Sequence, residues 1–232
     1  MAVVWVTRTN GEKTAKAVEA LGHEAVLAPV LETHSIDADL SATRFDAVIF
    51  TSRNGVSAFA KLSDRRDCPA WCVGDATAEA ARLSGFGDVI SAEGDVGALF
   101  DKLKCDAPRS ARFLYASARE PAAPLMAWMW AEGLSVTQTP VYETRAIMPA
   151  IGDADLHSIT HVLIHSARAG KALAAFVASH SKFAFTNSCF ICMSETAWQG
   201  FAGAFASEGI KRRISPFPDE PSMLKLIDTD GS

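Results

Sequence analysis

The residues best suited to chemistry in this chain are small hydroxyls, arginines and a glycine, and they share one setting. Thr7, Arg8, Ser52, Arg53, Asn54, Gly74, Thr77, Ser117, Arg119, Ser166, Arg168 and Thr196 each follow a short apolar run or open the alanine-rich stretch behind it. Hydroxyls and helix-start amides donate to anionic oxygens, and guanidinium groups pair with carboxylates or phosphates. The pattern points to an anionic small molecule. For any single Ser, Thr or Asn the competing role is capping, in which its side-chain oxygen accepts a backbone N–H at a helix start.

Metal and redox chemistry find less support. Cys189-Phe190-Ile191-Cys192 is the only CxxC among five cysteines, and it lies in an apolar, strand-like run where positions three apart face opposite ways. Such thiols are expected to be buried and structural. His157 and His161 are four apart, but the segment after His161 reads as a strand, which argues against shared metal ligation. His165 stands apart, at the end of that strand beside Ser166. No metal site is expected.

The formal net charge of −5 argues against a nucleic-acid platform. With 49% apolar and 21% charged residues, the chain reads as a globular protein. No apolar run reaches the length of a membrane span, and the opening Met1-Ala2-Val3-Val4-Trp5-Val6 reads as a core strand rather than a signal peptide. A cytoplasmic location and no membrane partner are expected. There is no GxGxxG at the first strand, no GxxxxGK[ST] and no GxSxG, which removes the main support for dinucleotide, nucleotide and ordinary hydrolase functions.

These residues must be positioned by elements that the chain writes twice, interleaved. Ala20–Ile36 aligns without a gap to Ala131–Ile147, sharing Gly22/Gly133, Pro29/Pro140, Val30/Val141, Glu32/Glu143 and Thr33/Thr144. Val3–Arg8 answers Arg112–Ser117, and Ala47–Gly55 answers His161–Ala169. Cys72–Ala78 is aligned with Ile191–Ala197, which pairs Thr77 with Thr196 and sets Met193 where the first copy has Gly74. In that alignment, Met193 and Glu195 would crowd and repel an anion in the second copy.

Strands are predicted over 2–7, 24–30, 46–51, 70–73, 88–91, 112–116, 135–141, 161–165, 189–193 and 212–214. Helices are predicted over 12–21, 54–62, 76–84, 95–104, 121–132, 168–179, 195–206 and 220–227. This alternation implies α/β architecture in two five-stranded parallel halves. Linkers are expected near 34–41 and 146–156, with 104–110 as a third candidate. Periodicity leaves two partitions open, tandem halves or an exchanged pair. In either, ligands bind beyond the carboxyl ends of the strands.

Over nearly its whole length the chain resembles the uroporphyrinogen-III synthase (HemD) family. The resemblance rests on Val6-Thr7-Arg8, Pro29-Val30-Leu31-Glu32, Phe50-Thr51-Ser52-Arg53-Asn54-Gly55-Val56, Val73-Gly74-Asp75-Ala76-Thr77-Ala78 and Pro140-Val141-Tyr142-Glu143-Thr144, in that order. It implies two flavodoxin-like domains joined by a two-segment linker, with substrate in the cleft between them and the crossings acting as a hinge. One domain would comprise 1–35 with 157–232 and the other 36–156. It also implies a lyase that cyclises hydroxymethylbilane, a linear tetrapyrrole with eight carboxylates, to uroporphyrinogen III with inversion of ring D and loss of water, a dehydration and rearrangement without redox change that implies no cofactor. Tyr142 is the matching position for the residue that assists loss of the hydroxyl; its counterpart in the first copy is Leu31, so packing is the competing role. A monomer is expected.

The alternative is a noncatalytic two-lobed binding or sensing module, which would bind ligand without turnover and leave Tyr142 without a role. A phosphoryl-accepting, receiver-like pair would require clustered acidic residues after the first strand, where Thr7-Arg8 stands instead.

Overall fold

Runs such as Ala47–Phe50 and Cys189–Cys192 offer no polar face to water, so they are stable as strands covered on both sides. In the computed structural model, which describes residues 1–179, 185–204 and 209–228, both are buried throughout. The elements begin with β1 (Val3–Val6), α1 (Glu12–Ala20), β2 (Glu24–Leu27), β3 (Leu31–Ser35), β4 (Ala47–Phe50), α2 (Arg53–Leu62), β5 (Ala70–Cys72), α3 (Asp75–Leu83), β6 (Val89–Ser91) and α4 (Val96–Asp106). They continue with β7 (Arg112–Ala118), α5 (Leu125–Ala131), β8 (Ser135–Ala146), α6 (Asp153–Ser158), β9 (His161–Ile164), α7 (Ala167–Ser179), a 3-10 turn at Phe185–Asn187, β10 (Cys189–Cys192), α8 (Glu195–Ala202), β11 (Lys211–Ile214) and α9 (Glu220–Leu224).

The chain forms two compact units. One is discontinuous, Met1–Glu32 with Arg145–Ser232; the other is contiguous, Thr33–Thr144. The discontinuous unit holds a sheet ordered β2-β1-β9-β10-β11, and the second sheet is ordered β3-β8-β7-β4-β5-β6. Leaving β3 aside, the two orders are the same once the repeat is followed: β8 answers β2, β7 answers β1, and β4, β5 and β6 answer β9, β10 and β11. All of these pairings are parallel. This is α/β architecture with two flavodoxin-like sheets.

Each sheet is covered on both faces. In the discontinuous unit, Trp5, Val162, Ile164 and Phe190 pack on one side with α7 and α8, while Val4, Val6, Leu163 and Ile191 pack on the other. In the contiguous unit Val48, Phe50 and Leu114 face α2 and α3, and Ile49, Trp71 and Phe113 face α4 and α5. Burying each such side chain contributes about 1.5–3 kcal/mol. The alternation also splits the CxxC, because Cys192 joins the first cluster and Cys189 the opposite one.

Several elements depart from those predicted: β8 extends to Ala146, α5 starts only at Leu125 and α9 ends at Leu224. Strand β3 is an addition, a sixth strand whose half-exposed sequence LETHS carries no apolar run. It runs opposite to β8, because Ile36 N donates to Val141 O at 2.8 Å and Thr33 Oγ1 lies 3.4 Å from Thr144 Oγ1. Helix α6 occupies part of the expected second linker. The helix expected over 195–206 spans Glu195–Ala202 among the described residues, with 205 and 206 outside them.

Candidate functional site

In the contiguous unit the carboxyl edge of the sheet is built around the start of α2. Ser52 has extended backbone (φ −164°, ψ 157°) and caps the helix, accepting from Gly55 N at 3.2 Å. The same Oγ lies 2.8 Å from the Tyr142 hydroxyl. Asn54 is half-buried and Arg53 exposed on the first turn of α2. Gly55 is required here by close approach: a Cβ would stand 3.0 Å from Ala116 O and 3.7 Å from Tyr142 Cε1.

A bulge brings Tyr142 to this point. Ser117 pairs with Pro140, but Ala118 pairs with Tyr142, so β8 carries one extra residue. Proline has no N–H to lose from the ladder, and bulges re-aim side chains. Consecutive Val141 and Tyr142 consequently pack into the same cluster, which strict alternation would forbid. Arg119 N then donates to Tyr142 O at 2.8 Å, and the Arg119 guanidinium pairs with Glu143 at 3.0 Å while remaining largely exposed.

Other expected residues play different parts. Gly74 caps α3 with extended backbone. Thr77 is buried within the first turn, and its hydroxyl makes no side-chain hydrogen bond among the described residues. Ser117 is fully buried and donates its hydroxyl to Ala118 O at 2.8 Å. Next to Ser52, Thr51 Oγ1 lies 3.1 Å from the hydroxyl of Tyr115, whose pKa burial pushes above the ordinary phenol value.

In the discontinuous unit, Ser166 repeats the Ser52 cap at α7, accepting from Ala169 N at 3.2 Å. Ser166 and Arg168 are exposed. Arg8 pairs with Glu220 at 2.8 Å, a partner at the head of α9 that sequence spacing did not indicate. Thr7 is fully buried, and its hydroxyl donates to Leu163 O. Both Thr7 and Ser117 thus spend their hydroxyls on backbone carbonyls inside the fold. His165 is held neutral: burial, then the nearby Arg8 charge, lowers its pKa to about 4 against the opposing pull of Glu220.

The pairing of Thr77 with Thr196 is corrected by one residue. Val73 N donates to Phe50 O and Met193 N to Ile164 O, at equivalent points of the two sheets. Met193 therefore answers Val73, and Ser194, which caps α8, answers Gly74. Ala197 is the counterpart of Thr77, and Thr196, on the exposed first turn of α8, answers Ala76. The expected crowding at Met193 disappears with the shift. Glu195 answers Asp75, an acid common to both first turns, where it favours the helix N-terminus.

A cavity of about 580 Å³ lies elsewhere, lined by Asp46, Ala47, Pro69, Trp71, Ile90 and Phe113 among others. Apart from Ile90 in β6, these residues lie at or near the amino ends of β4, β5 and β7, opposite the site. Its carboxylate, Asp46, is already engaged by Arg112 at 2.8 Å. No group of three or more His, Cys, Asp or Glu among the described residues could hold a metal ion. No described helix is long and apolar enough to cross a membrane.

Residues 12–225 match the family model described as Uroporphyrinogen-III synthase HemD. The chain belongs to the uroporphyrinogen-III synthase family. Its activity is accordingly that of a lyase of tetrapyrrole biosynthesis acting on a small-molecule tetrapyrrole. The fold agrees with solved structures in the same family. The chain matches uroporphyrinogen-III synthetase from Helicobacter pylori 26695 with a TM-score of 0.66 at 21% identity, covering 97% of each chain. It matches a mutant uroporphyrinogen III synthase from the extremely thermophilic bacterium Thermus thermophilus with a TM-score of 0.58 at 14% identity, covering 98% of this chain and 97% of that one. No curated protein sequence matches the chain.

Proposed function

We propose that the chain cyclises hydroxymethylbilane to uroporphyrinogen III, with Tyr142 as the proton donor to the departing hydroxyl. The observation that carries the proposal is the 2.8 Å bond between Tyr142 and the helix-capping Ser52. Ser52 Oγ already accepts from Gly55 N. A serine hydroxyl has one proton to give, and giving it to the Tyr142 oxygen leaves the phenol's own proton for the substrate. Negative charge developing on that oxygen would sit near the positive end of α2.

The step balances without redox change. The terminal C–O bond breaks as pyrrole electrons form the protonated azafulvene, and the Tyr142 proton leaves with the hydroxyl as water; the proton that ring closure releases from the unsubstituted α carbon of ring D returns to the tyrosinate. Ring D then attacks through its substituted carbon, giving a spiro intermediate that fragments and recloses with the ring inverted. The chemistry after ionisation needs geometric control more than functional groups. In this reading the carboxylate-binding residues are Ser52, Arg53, Asn54, Gly74, Thr77 and Arg119, together with Arg8, Ser166, Arg168 and Thr196. Thr7 and Ser117 support the strand ends on which those residues stand. The working form is a cytoplasmic monomer without a cofactor.

The test is product analysis. Purified protein is given freshly generated hydroxymethylbilane, and the oxidised products are separated as uroporphyrin I and III. Predominantly type III product is expected; type I at the rate seen without protein would sink the proposal. Tyr142→Phe is expected to lower kcat by roughly 10²- to 10⁴-fold, the usual worth of a positioned general acid.

A further inference from the structure

Where β9 ends, the discontinuous unit keeps a polar ring that no described residue satisfies. Both nitrogens of His165 are buried, and neither has a hydrogen-bond partner among the described residues. A buried donor and acceptor left unpaired destabilise a fold, and native structures rarely retain them without a purpose. An apolar side chain of similar volume would remove the penalty.

The other unit shows what is missing. His165 stands at the position of Thr51, since each is the first residue beyond its strand. Thr51 is satisfied by the Tyr115 hydroxyl at 3.1 Å. Tyr115 pairs with Ile49 across β7 and β4, and the equivalent pair across β1 and β9 is Val6 with Leu163. The counterpart of Tyr115 is therefore Val6, which has no hydroxyl to offer. The discontinuous unit has placed a larger polar group at this position and lost its internal partner.

The place suits a ligand. Strands β1 and β9 are neighbours at the point where the order β2-β1-β9-β10-β11 reverses direction, and open α/β sheets bind ligands beyond the carboxyl ends of strands at that point. Arg8 follows β1 there, one-third exposed, and supplies positive potential beside His165 although paired with Glu220. His165 keeps part of its surface exposed. Both nitrogens are enclosed in the resting orientation, so binding requires a half-turn about χ2, which exchanges each ring nitrogen with a carbon.

We propose that His165 is a substrate-binding residue whose imidazole N–H takes one carboxylate of the tetrapyrrole at the end of β9. The proposal rests on the functional reading above. It is tested with His165→Leu, which removes the polar ring, and His165→Gln, which retains a donor. Steady-state kinetics with hydroxymethylbilane, product isomer ratio and Tm are measured for all three proteins. Leu is expected to raise Tm by a few degrees and to raise KM about ten- to hundredfold, as loss of a hydrogen bond to a charged group does, with kcat within about twofold. Gln is expected to recover part of the KM. An active wild type with KM unchanged in His165→Leu would overturn this inference alone, and so would a lower Tm, because the ring would then have a structural partner such as a buried water. A wild type that makes no type III product would overturn the functional reading and this inference with it.

Discussion

Substituting Gly200 by alanine adds one methyl group where two helices touch backbone to backbone. A Cβ on Gly200 of α8 would stand 2.6 Å from Ala167 Cα and 2.7 Å from its carbonyl carbon in α7, against an ordinary contact of 3.4 Å or more. The obstructing atoms are backbone, so no side chain can swing aside, and the helices must part by roughly 1 Å. Facing it, Gly170 is as tight, with a Cβ placed 2.6 Å from Ala197 O and 2.8 Å from Phe201 N. Overpacking of this kind costs about 1–3 kcal/mol, more when backbone must move, and the gain of about 1 kcal/mol in helix propensity offsets part of it. A net loss of about 2 kcal/mol lowers Tm by roughly 4–8 °C in a chain of this size. Ala167 is also the first residue of α7, directly after the capping Ser166, so KM is expected to rise several-fold as the cap shifts. Calorimetry and steady-state kinetics read both effects. Gly87→Ala, with nothing within 4 Å of the added methyl, is the control and should leave both unchanged. A Gly200→Ala protein melting within about 1 °C of wild type would refute the close crossing of α7 and α8.

Acid and thiol chemistry give two further expectations. His165 has a folded pKa of about 4 against 6.5 for the free group, lowered by burial and by Arg8 and opposed by Glu220. The unfolded chain therefore binds more protons between those values, and stability falls by roughly 3 kcal/mol as pH drops from above 6.5 to below 4. Denaturant titrations at pH 7 and pH 4.5 should show that share of acid sensitivity missing from His165→Leu; identical slopes would contradict it. Cys68, Cys72, Cys189 and Cys192 are buried and Cys105 is exposed, and burial pushes the Cys72 and Cys192 thiols up to about 12. Native protein should react quickly with one equivalent of Ellman's reagent and denatured protein with five, so a second fast thiol in the native state would contradict the packing.

Much of this architecture is legible in the sequence because parallel strands buried on both faces leave uninterrupted apolar runs. Residues 46–51, 161–165 and 189–193 announce themselves that way. Strand β3 does not, since LETHS is half-exposed and gains its place through backbone pairing with β8. Hydrogen-bond pairing is likewise what distinguishes tandem from exchanged halves, and both are equally apolar. At the site, the Ser52 and Ser166 caps could be read from the repeat, because each serine follows its strand by the same number of residues. Thr77 and Thr196 match in type but not in position, because the strand-end hydrogen bonds set the register one residue away. Tyr142 could be placed only at a strand end, and the bulge that turns it toward Ser52 left only Pro140 as a trace. Glu220 and the unsatisfied state of His165 arise from contacts distant in sequence, which no local pattern encodes.

The interleaved order also sets a timetable during synthesis. The contiguous unit, Thr33–Thr144, is complete while the last third of the chain is still on the ribosome, and domains generally fold as units as they emerge. Strand β1 has no such option. Its neighbour β9 and the bond between Val3 N and Thr160 arrive only after that whole unit has been made. Until then β1 and β2 have an unpaired edge and an uncovered Trp5, and such edges invite pairing with other chains. The nascent N-terminal strand pair is consequently where a chaperone would have most to shield, and where slow translation of residues 145–214 would most increase losses to aggregation.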